Sequence, residues 1–543
     1  MIPKPDAFSS SEIVTFGVLT VVALLLRYVV AFYSPLFNHD EAGKLQEPPM
    51  FPHVMPLLGN VPFKVFWNPV GFIYSYSALW KKHPVRLRAF FKNVYIIQGV
   101  KDQLAIVKLP FFFVRQNFVL NVFLYPKAAA EAYLRDNSGA RSVPYPGSQI
   151  LQRNRVDFHI HSFHKSLLMG SGQPILLRRL SRNARDRLSS MGVKDDDWTH
   201  LSDFMSIFKS HLTAASIDSF APALLARHPH FAHDLWAIDQ GVLRLWLRVP
   251  RFFNLTAHRA RDRALDALFD WHAWARDNFC SESIDEQGND PFWGLSFFRE
   301  RQRVFSNMDG FDGRAMASED LAFFWGAHSN VVKSTFWLAL EAFRDTALLQ
   351  DARQEVQSCI QTEADGRLCL DTKALVRQPL LQAMFAESHR LRVHGFAMRC
   401  PQRDDICLET CKIPRNSLCI SSLTSASMDA EFWGKERPVD EFWPGRFLKR
   451  DAETNELKFS LPATQGYWLA FGASPRLCPG RVFTKHQNLV TLALLITMYD
   501  CEILAPKEHL VMDTRELPLG TVNPRFKIPV RMRRTKTYIA SCV

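Results

Sequence analysis

An α+β fold, mainly helical, with one membrane anchor ahead of it, is the architecture this sequence predicts. Three observations carry the prediction. Helical patterns dominate from about Ala128 to Cys359, and short strand-like runs lie on either side, at Val85–Gln98 and between Cys400 and Ile420. Ile13 to Phe32 (IVTFGVLTVVALLLRYVVAF) is almost unbroken apolar sequence. Helix-rich sequence with small sheets at both ends is the pattern of an α+β domain rather than of alternating parallel units.

Composition narrows the class. The chain has 543 residues, 47% hydrophobic and 22% charged, which excludes disordered, collagen-like and disulfide-scaffold proteins. The formal charge of +12 suits an anionic membrane face, an acidic protein partner or nucleic acid. Forty-three Phe and thirteen Trp supply an aromatic interior that fits a large apolar cavity. Ten cysteines are too sparse for a disulfide framework. Cys400, Cys407, Cys411 and Cys419 match no zinc spacing and read as buried thiols of a reducing compartment.

Each element follows in order. Residues 1–12 are a short N-terminal segment and residues 13–34 the anchor. Twenty residues at about 1.5 Å each cover a hydrocarbon core of about 30 Å. Arg27, the one charge within, lies near an end where it can reach the interface beside Tyr28 and Tyr33. A cleaved signal peptide is the weaker reading, because the small-residue cleavage site and basic start are missing. Residues 35–60 form a hinge; the prolines of PPMFPHVMPLLGN fix φ and remove donors, giving a stiff extended spacer. Residues 61–543 form the one large domain that follows.

Within that domain, VRLRAFFKNVYIIQ (85–98) reads as short strands with β-branched and aromatic residues. Leu109–Val119, LPFFFVRQNFV, is an apolar run with a proline inside, suited to a substrate entrance, a dip into the membrane or an insertion. Weak breaks fall at Pro144–Gly147 and Pro250, and no repeat appears. Gln487–Tyr499 is the last long apolar helix. Asn254-Leu255-Thr256 is an N-glycosylation acceptor, expected to go unused on a cytosolic domain.

The strongest chemical signal is Phe471-Gly472-Ala473-Ser474-Pro475-Arg476-Leu477-Cys478-Pro479-Gly480-Arg481. It is a cysteine in a tight loop feeding a helix: Pro479 suits a helix start, and Gly480 lets backbone approach something flat and bulky. Helix-start N–H groups with Arg476 and Arg481 are expected to lower the Cys478 pKa and favour a thiolate. Glu387-Ser388-His389-Arg390 places acid and base three apart on one helix face. Glu300–Arg303 and Glu341–Arg344 share that spacing, so the pattern alone describes a solvated helix pair.

Order makes the difference. Glu387 lies 91 residues before Cys478, with Phe442-Trp443-Pro444-Gly445-Arg446-Phe447 between them. Together these segments resemble the cytochrome P450 superfamily, the haem-thiolate monooxygenases. The loop matches the family pattern at Phe471, Arg476, Cys478 and Gly480 and departs at Ser474, where the family usually has Gly. The resemblance implies haem b (iron protoporphyrin IX) with Cys478 as axial metal ligand, and Phe471, Gly480, Arg476 and Arg399 around it, the two arginines as propionate partners. It also implies that Glu387, Arg390 and Arg446 form a structural ion network holding the haem loop.

A third segment, Leu321–Phe336 (LAFFWGAHSNVVKSTF), reads as an amphipathic helix and is similar to the family's oxygen-binding helix. Lining up the family pattern places Gly326 and Ala327 at the small positions, Ser329 at the acid and Asn330 at the threonine. The acid–alcohol pair that usually relays protons is therefore replaced; Asn330 can donate a hydrogen bond and Ser329 can pass protons. This arrangement is similar to sterol 7α-hydroxylases and prostacyclin synthases, one group hydroxylating and the other isomerising a peroxide. The Trp-x-x-x-Arg haem contact of many relatives is missing near Asp157–Lys165, where His161 and His164 read as surface residues.

The resemblance implies an endoplasmic-reticulum, single-pass membrane enzyme with a cytosolic domain, fed electrons by NADPH–cytochrome P450 reductase and not binding nucleic acid. Its expected substrate is lipophilic: a terpenoid, steroid or polycyclic secondary metabolite of a fungal pathway. A peroxide isomerase or dehydratase is the alternative reaction, and a non-catalytic haem- or sterol-binding membrane protein the alternative class.

Overall fold

The computed structural model describes residues 17–26, 47–50, 83–89, 92–107, 112–362, 368–401, 404–461, 464, 466–473, 477–515 and 519–535. Most of the anchor and hinge lies outside that set. Residues 17–26 are helical with exposed apolar side chains, among them Val18, Leu19 and Leu25, and no helix of the described residues is long and apolar enough to cross a membrane. At 47–50 the chain runs beside the first strand: Pro49 O accepts from Arg86 N at 2.9 Å and Glu47 accepts from Tyr95 Oη at 2.8 Å.

The strands begin where β-branched and aromatic residues alternate, β1 at Val85–Ala89 and β2 at Lys92–Ile97. Beyond a short helix at Val100–Val107 comes the helix α1, Phe112–Val122, so most of the apolar run is helical from just after its proline. Phe118 on it lies 5.5 Å from the Trp246 ring and 5.6 Å from that of Trp325. The helical part then runs through α2 (Val156–Met169), α3 (Gly172–Ser189), β3 (Thr199–Leu201), α4 (Thr213–Phe220), α5 (Phe231–Trp246), α6 (Leu255–Asn278), α7 (Ser296–Phe305) and α8 (Gly313–Arg344). After α8 come α9 (Pro379–Arg392), β4 (Val393–His394), β5 (Phe396–Arg399), β6 (Leu418–Ser422), α10 (Arg481–Met498), β7 (Tyr499–Ile503), β8 (Gly520–Thr521) and β9 (Val530–Arg534).

Thirty-two residues give α8 a length of about 48 Å, enough to cross the whole domain. The Asp312 side chain caps it, accepting from Ala315 N at 2.8 Å. It packs against α6, α9 and α10 as the spine of a helical bundle, and most of its residues are buried. Phe220, Phe231, Phe297, Phe298, Phe323 and Phe324 interlock around its first half, with Phe298 stacked on Phe324 at 5.4 Å. Each fully buried Phe of that kind contributes about 1.5–3 kcal/mol.

Two small sheets flank the bundle. In the first, the order is β1-β2-β6-β5, with β2 and β6 parallel and the outer pairs antiparallel. The second is antiparallel, β7-β9-β3, and so borrows a strand from inside the region that reads as helical. A two-residue ladder pairs β8 with β4, Gly520 against His394 and Thr521 against Val393. That ladder brings a distant loop onto the end of α9. The last apolar helix begins at Arg481 rather than Gln487, and Tyr499 already belongs to β7.

Asn254 is buried, its Nδ2 donating to Gly241 O at 3.2 Å where α5 and α6 pack closely, so the glycosylation acceptor is closed off in the folded chain. The nine described cysteines are free. Cys411 and Cys419 are buried thiols pushed up to about 12 by desolvation, whereas Cys407 is exposed and departs from the buried expectation. Among the described residues no group of His, Cys, Asp or Glu is placed to hold a bare metal ion.

Candidate active site

The cysteine loop is tied to α9 from below. The Phe471 ring lies 5.3 Å from that of His389 and 6.2 Å from that of Phe385, both on α9, with Trp468 at 5.8 Å. Trp468 Nε1 donates to Ala386 O at 2.9 Å. Gly472 turns the chain with φ at +75°, a conformation that costs glycine nothing. Cys478 N then donates to Phe471 O at 3.0 Å and closes the loop.

Gly480 stands at the start of α10, and its backbone N–H donates to the Cys478 sulfur. Arg481 also favours the thiolate and holds the loop through its Nη1, which donates to Cys478 O at 3.1 Å. Burial nevertheless outweighs both, and the thiol stands above its ordinary value, not below it as the neighbouring donors suggest. Helix-start dipoles lower a thiol only as far as desolvation allows; a coordinating metal would deprotonate it outright. Ser474 and Arg476 lie outside the described residues.

Glu387, Arg390 and Arg446 converge. Arg390 grips Glu387 through two bonds, Nε to Oε2 at 2.7 Å and Nη2 to Oε1 at 2.9 Å. Arg446 Nη1 reaches the same Oε1 at 2.9 Å, and Trp443 N donates to it at 3.1 Å. The remaining guanidinium donors meet backbone carbonyls of Ser427, Val439 and Trp433. The three side chains are buried with every charge bonded, the condition under which a buried ion cluster is tolerated. By contrast Glu300–Arg303 is exposed, and Glu341 is buried because Arg392 joins Arg344 on it.

Arg399 is buried on β5, where Nε donates to Val107 O at 3.2 Å and Nη1 to Met398 O at 2.9 Å. Those bonds hold the sheet to the helix Val100–Val107. His161 and His164 are both half-buried rather than fully exposed, and the His164 ring stacks on Phe297 at 6.3 Å and lies 5.4 Å from Phe323.

On α8, Gly326 is exposed between the half-buried Trp325 and Ala327, and a Cβ there would meet no atom within 4 Å, so the helix faces open space at this turn. Asn330, one turn on, is half-buried; its Oδ1 accepts from Thr521 N at 2.9 Å, which fixes the carboxamide orientation and leaves Nδ2 as the donor end. Ser329 belongs to a different face of α8, the row Trp325–Ser329–Lys333 spaced by four. Trp325 Nε1 and Lys333 Nζ both meet Asp239 of α5, at 3.1 and 2.7 Å. Sequence reading passed over Asp239, Lys333, Gly520 and Thr521. Only the strand-forming tail around Thr521 carried any local signal, and nothing in it pointed to α8.

A flat metallocycle held by one thiolate fits these residues. The sulfur is flanked by a glycine whose added Cβ would stand 3.7 Å from it, and α8 offers open space at Gly326. Comparison with known proteins agrees. The family model for cytochrome P450 matches residues 231–530. The chain is 30% identical over 539 residues to cytochrome P450 monooxygenase fsoE of Humicola fuscoatra, covering 91% of this chain and 89% of that one. It is 25% identical to cytochrome P450 monooxygenase efuG of Hormonema carpetanum over 96% of each, and 24% identical over about half of each to cytochrome P450 7A1 of Oryctolagus cuniculus. The chain belongs to the cytochrome P450 family. It is a P450 monooxygenase, with the haem-thiolate cofactor that family carries.

Proposed function

We propose that this enzyme hydroxylates or oxidatively tailors a lipophilic polycyclic substrate, a terpenoid or steroid, in a fungal secondary-metabolite pathway. In this reading it works with haem b and takes electrons from NADPH–cytochrome P450 reductase. Cys478 holds the cofactor, Arg476 and Arg399 serve its propionates, and the Glu387–Arg390–Arg446 cluster keeps the loop under it rigid. Bound there, haem supplies the activation of dioxygen. The chain supplies position and dryness: Phe471 and Trp468 wall the loop, and Thr521 N–H holds the Asn330 oxygen so that Nδ2 is left as its donor end. The observation that carries the reading is the cysteine loop closed by the Cys478–Phe471 backbone bond and packed on α9 through Phe471.

Membrane attachment belongs to the same proposal: residues 13–34 as a single-pass anchor in the endoplasmic reticulum, residues 35–60 as the hinge, and residues 61–543 as a cytosolic catalytic domain. The unbroken apolar run and the exposed apolar face of residues 17–26 support it. A second apolar patch supports it too, since Leu247, Phe252, Phe253 and Leu255 are exposed between α5 and α6 beside Arg248 and Arg251. The charge of +12 favours docking of an acidic reductase surface.

The test is the reduced, carbon-monoxide-bound absorption spectrum of the haem-loaded wild type and Cys478→Ala, followed by NADPH-dependent turnover. A strongly red-shifted Soret band in wild type alone, with product formed only when reductase and NADPH are present, is the expected result. Turnover of an endoperoxide without NADPH would replace the hydroxylation reading with isomerisation.

A further inference from the structure

The face of α8 that carries Ser329 opens on a small polar pocket between α5 and β8. Asp239, Trp325, Ser329, Asn330, Lys333 and Thr521 line it, with Val242 and Leu519 as apolar walls, and its volume is about 40 Å³. That is room for a single polar group rather than for a whole polycyclic molecule.

Several donor groups face this pocket, with the Asn523 carboxamide beside them. Both Asp239 oxygens are engaged, Oδ1 by Trp325 and Oδ2 by Lys333. Lys333 keeps further ammonium N–H groups, since a Lys side chain carries three donors and no acceptor. Asn330 presents Nδ2, because Thr521 N–H holds its oxygen. Ser329 Oγ and Thr521 Oγ1 have no hydrogen-bond partner, although each residue is only 4% exposed. A buried pair of charges with surplus donors and two unpartnered hydroxyls is an arrangement made for an acceptor oxygen. Gly326, where α8 faces open space, lies one helical turn from Asn330, so a molecule held there can reach the pocket.

We propose that this pocket is a polar subsite of the substrate cavity, in which Lys333, Ser329, Asn330 and Thr521 take a carboxylate or carbonyl oxygen of the substrate and so fix which end of it faces the reaction centre. The assignment rests on the lipophilic polycyclic substrate proposed above. It makes Lys333, through Asp239 and Trp325, a specificity-determining residue that ties α5 to α8. It also gives Ser329 a binding role on a face separate from that of Ala327.

The test is spectral titration of the ferric, haem-loaded full chain with 5β-cholanic acid, its methyl ester and 5β-cholane, three probes that share one ring skeleton. Binding is read from the Soret shift, without turnover. Acid or ester binding about tenfold or more tighter than the hydrocarbon supports the subsite. So does loss of that preference in Ser329→Ala and Thr521→Val, which remove hydroxyls without leaving a buried charge. Lys333→Met with Asp239→Leu removes the pair together and, if it folds by circular dichroism, abolishes the preference; the hydroxyl variants decide if it does not. Equal affinity for all three probes, or a preference untouched in the variants, overturns the subsite and leaves the pocket holding water alone. Binding of none of the three overturns the polycyclic reading, and the subsite with it.

Discussion

Glu387 and Arg446, fifty-nine residues apart in the chain, meet in an ion pair of 2.9 Å with both side chains buried. Arg390 shares the same carboxylate, so one acid on α9 fastens the segment Pro444–Phe447 to the helix that also carries the floor of the cysteine loop. The relation is mechanical as well as electrostatic. Whatever holds Glu387 in place holds the neighbourhood of Phe471.

Removing that acid strands two guanidinium groups in the interior. Glu387→Gln is expected to destabilise the domain by about 3–5 kcal/mol, measured as the shift of the urea midpoint. Glu300→Gln, which has the same three-residue spacing to its arginine but an exposed setting, should cost under about 1 kcal/mol. Equal effects in the two variants would refute the burial argument.

Phe471 works through packing rather than charge. Its ring fills the space between Phe385, His389 and Trp468. Phe471→Ala should cost about 2–3 kcal/mol in chemical denaturation and lower the fraction of purified protein that shows the thiolate-type carbon-monoxide spectrum. A mutant with unchanged spectrum and stability would show that the loop does not depend on this ring.

Gly520 is constrained twice. Its φ is +141°, and a Cβ there would overlap the Asn330 carboxamide. Gly520→Ala should therefore lose about 1–3 kcal/mol, and Asn330→Ala in the same chain should recover the steric part but not the backbone part. Strict additivity in the double-mutant cycle would mean that the two residues do not touch in solution.

Four buried histidines make the domain acid-labile. Burial holds His328, His389, His394 and His486 down to about 4, against an ordinary value near 6.5. Between those values the unfolded chain binds more protons than the folded one, so stability is present above pH 6.5 and is lost as pH falls toward 4. Each histidine contributes up to about 3 kcal/mol across that window. Urea midpoints measured from pH 7 to pH 4.5 should fall steeply, and His389→Gln should flatten the slope. A midpoint that does not move with pH would count against the burial of these rings.

Much of this was readable from local sequence. The strand-forming run at 85–98, the apolar helices of the domain and the loop around Cys478 are each defined by residues close together in the chain, where backbone propensity and turn chemistry act. Even Leu109–Val119, which the sequence left undecided among three readings, contains the start of a helix just beyond its proline. The order of Glu387, Arg446 and Cys478 along the chain was enough to place the protein in its family.

Other features depended on partners that local reading cannot see. Three Glu–Arg pairs share one spacing, and only the fold decides that Glu387 is sealed in while Glu300 stays in water. Donors beside Cys478 suggest a lowered thiol, but the depth of burial reverses the sign. Ser329 and Asn330 are adjacent in sequence; helical rotation sends one toward Asp239 and Lys333 and leaves the other bonded to Thr521, 191 residues away. Sequence by itself determined most of the elements and the family, because these follow from short-range chemistry. Tertiary structure alone decided burial, the sign of the thiol shift and the polar pocket, because desolvation and hydrogen bonding depend on what distant segments bring into contact.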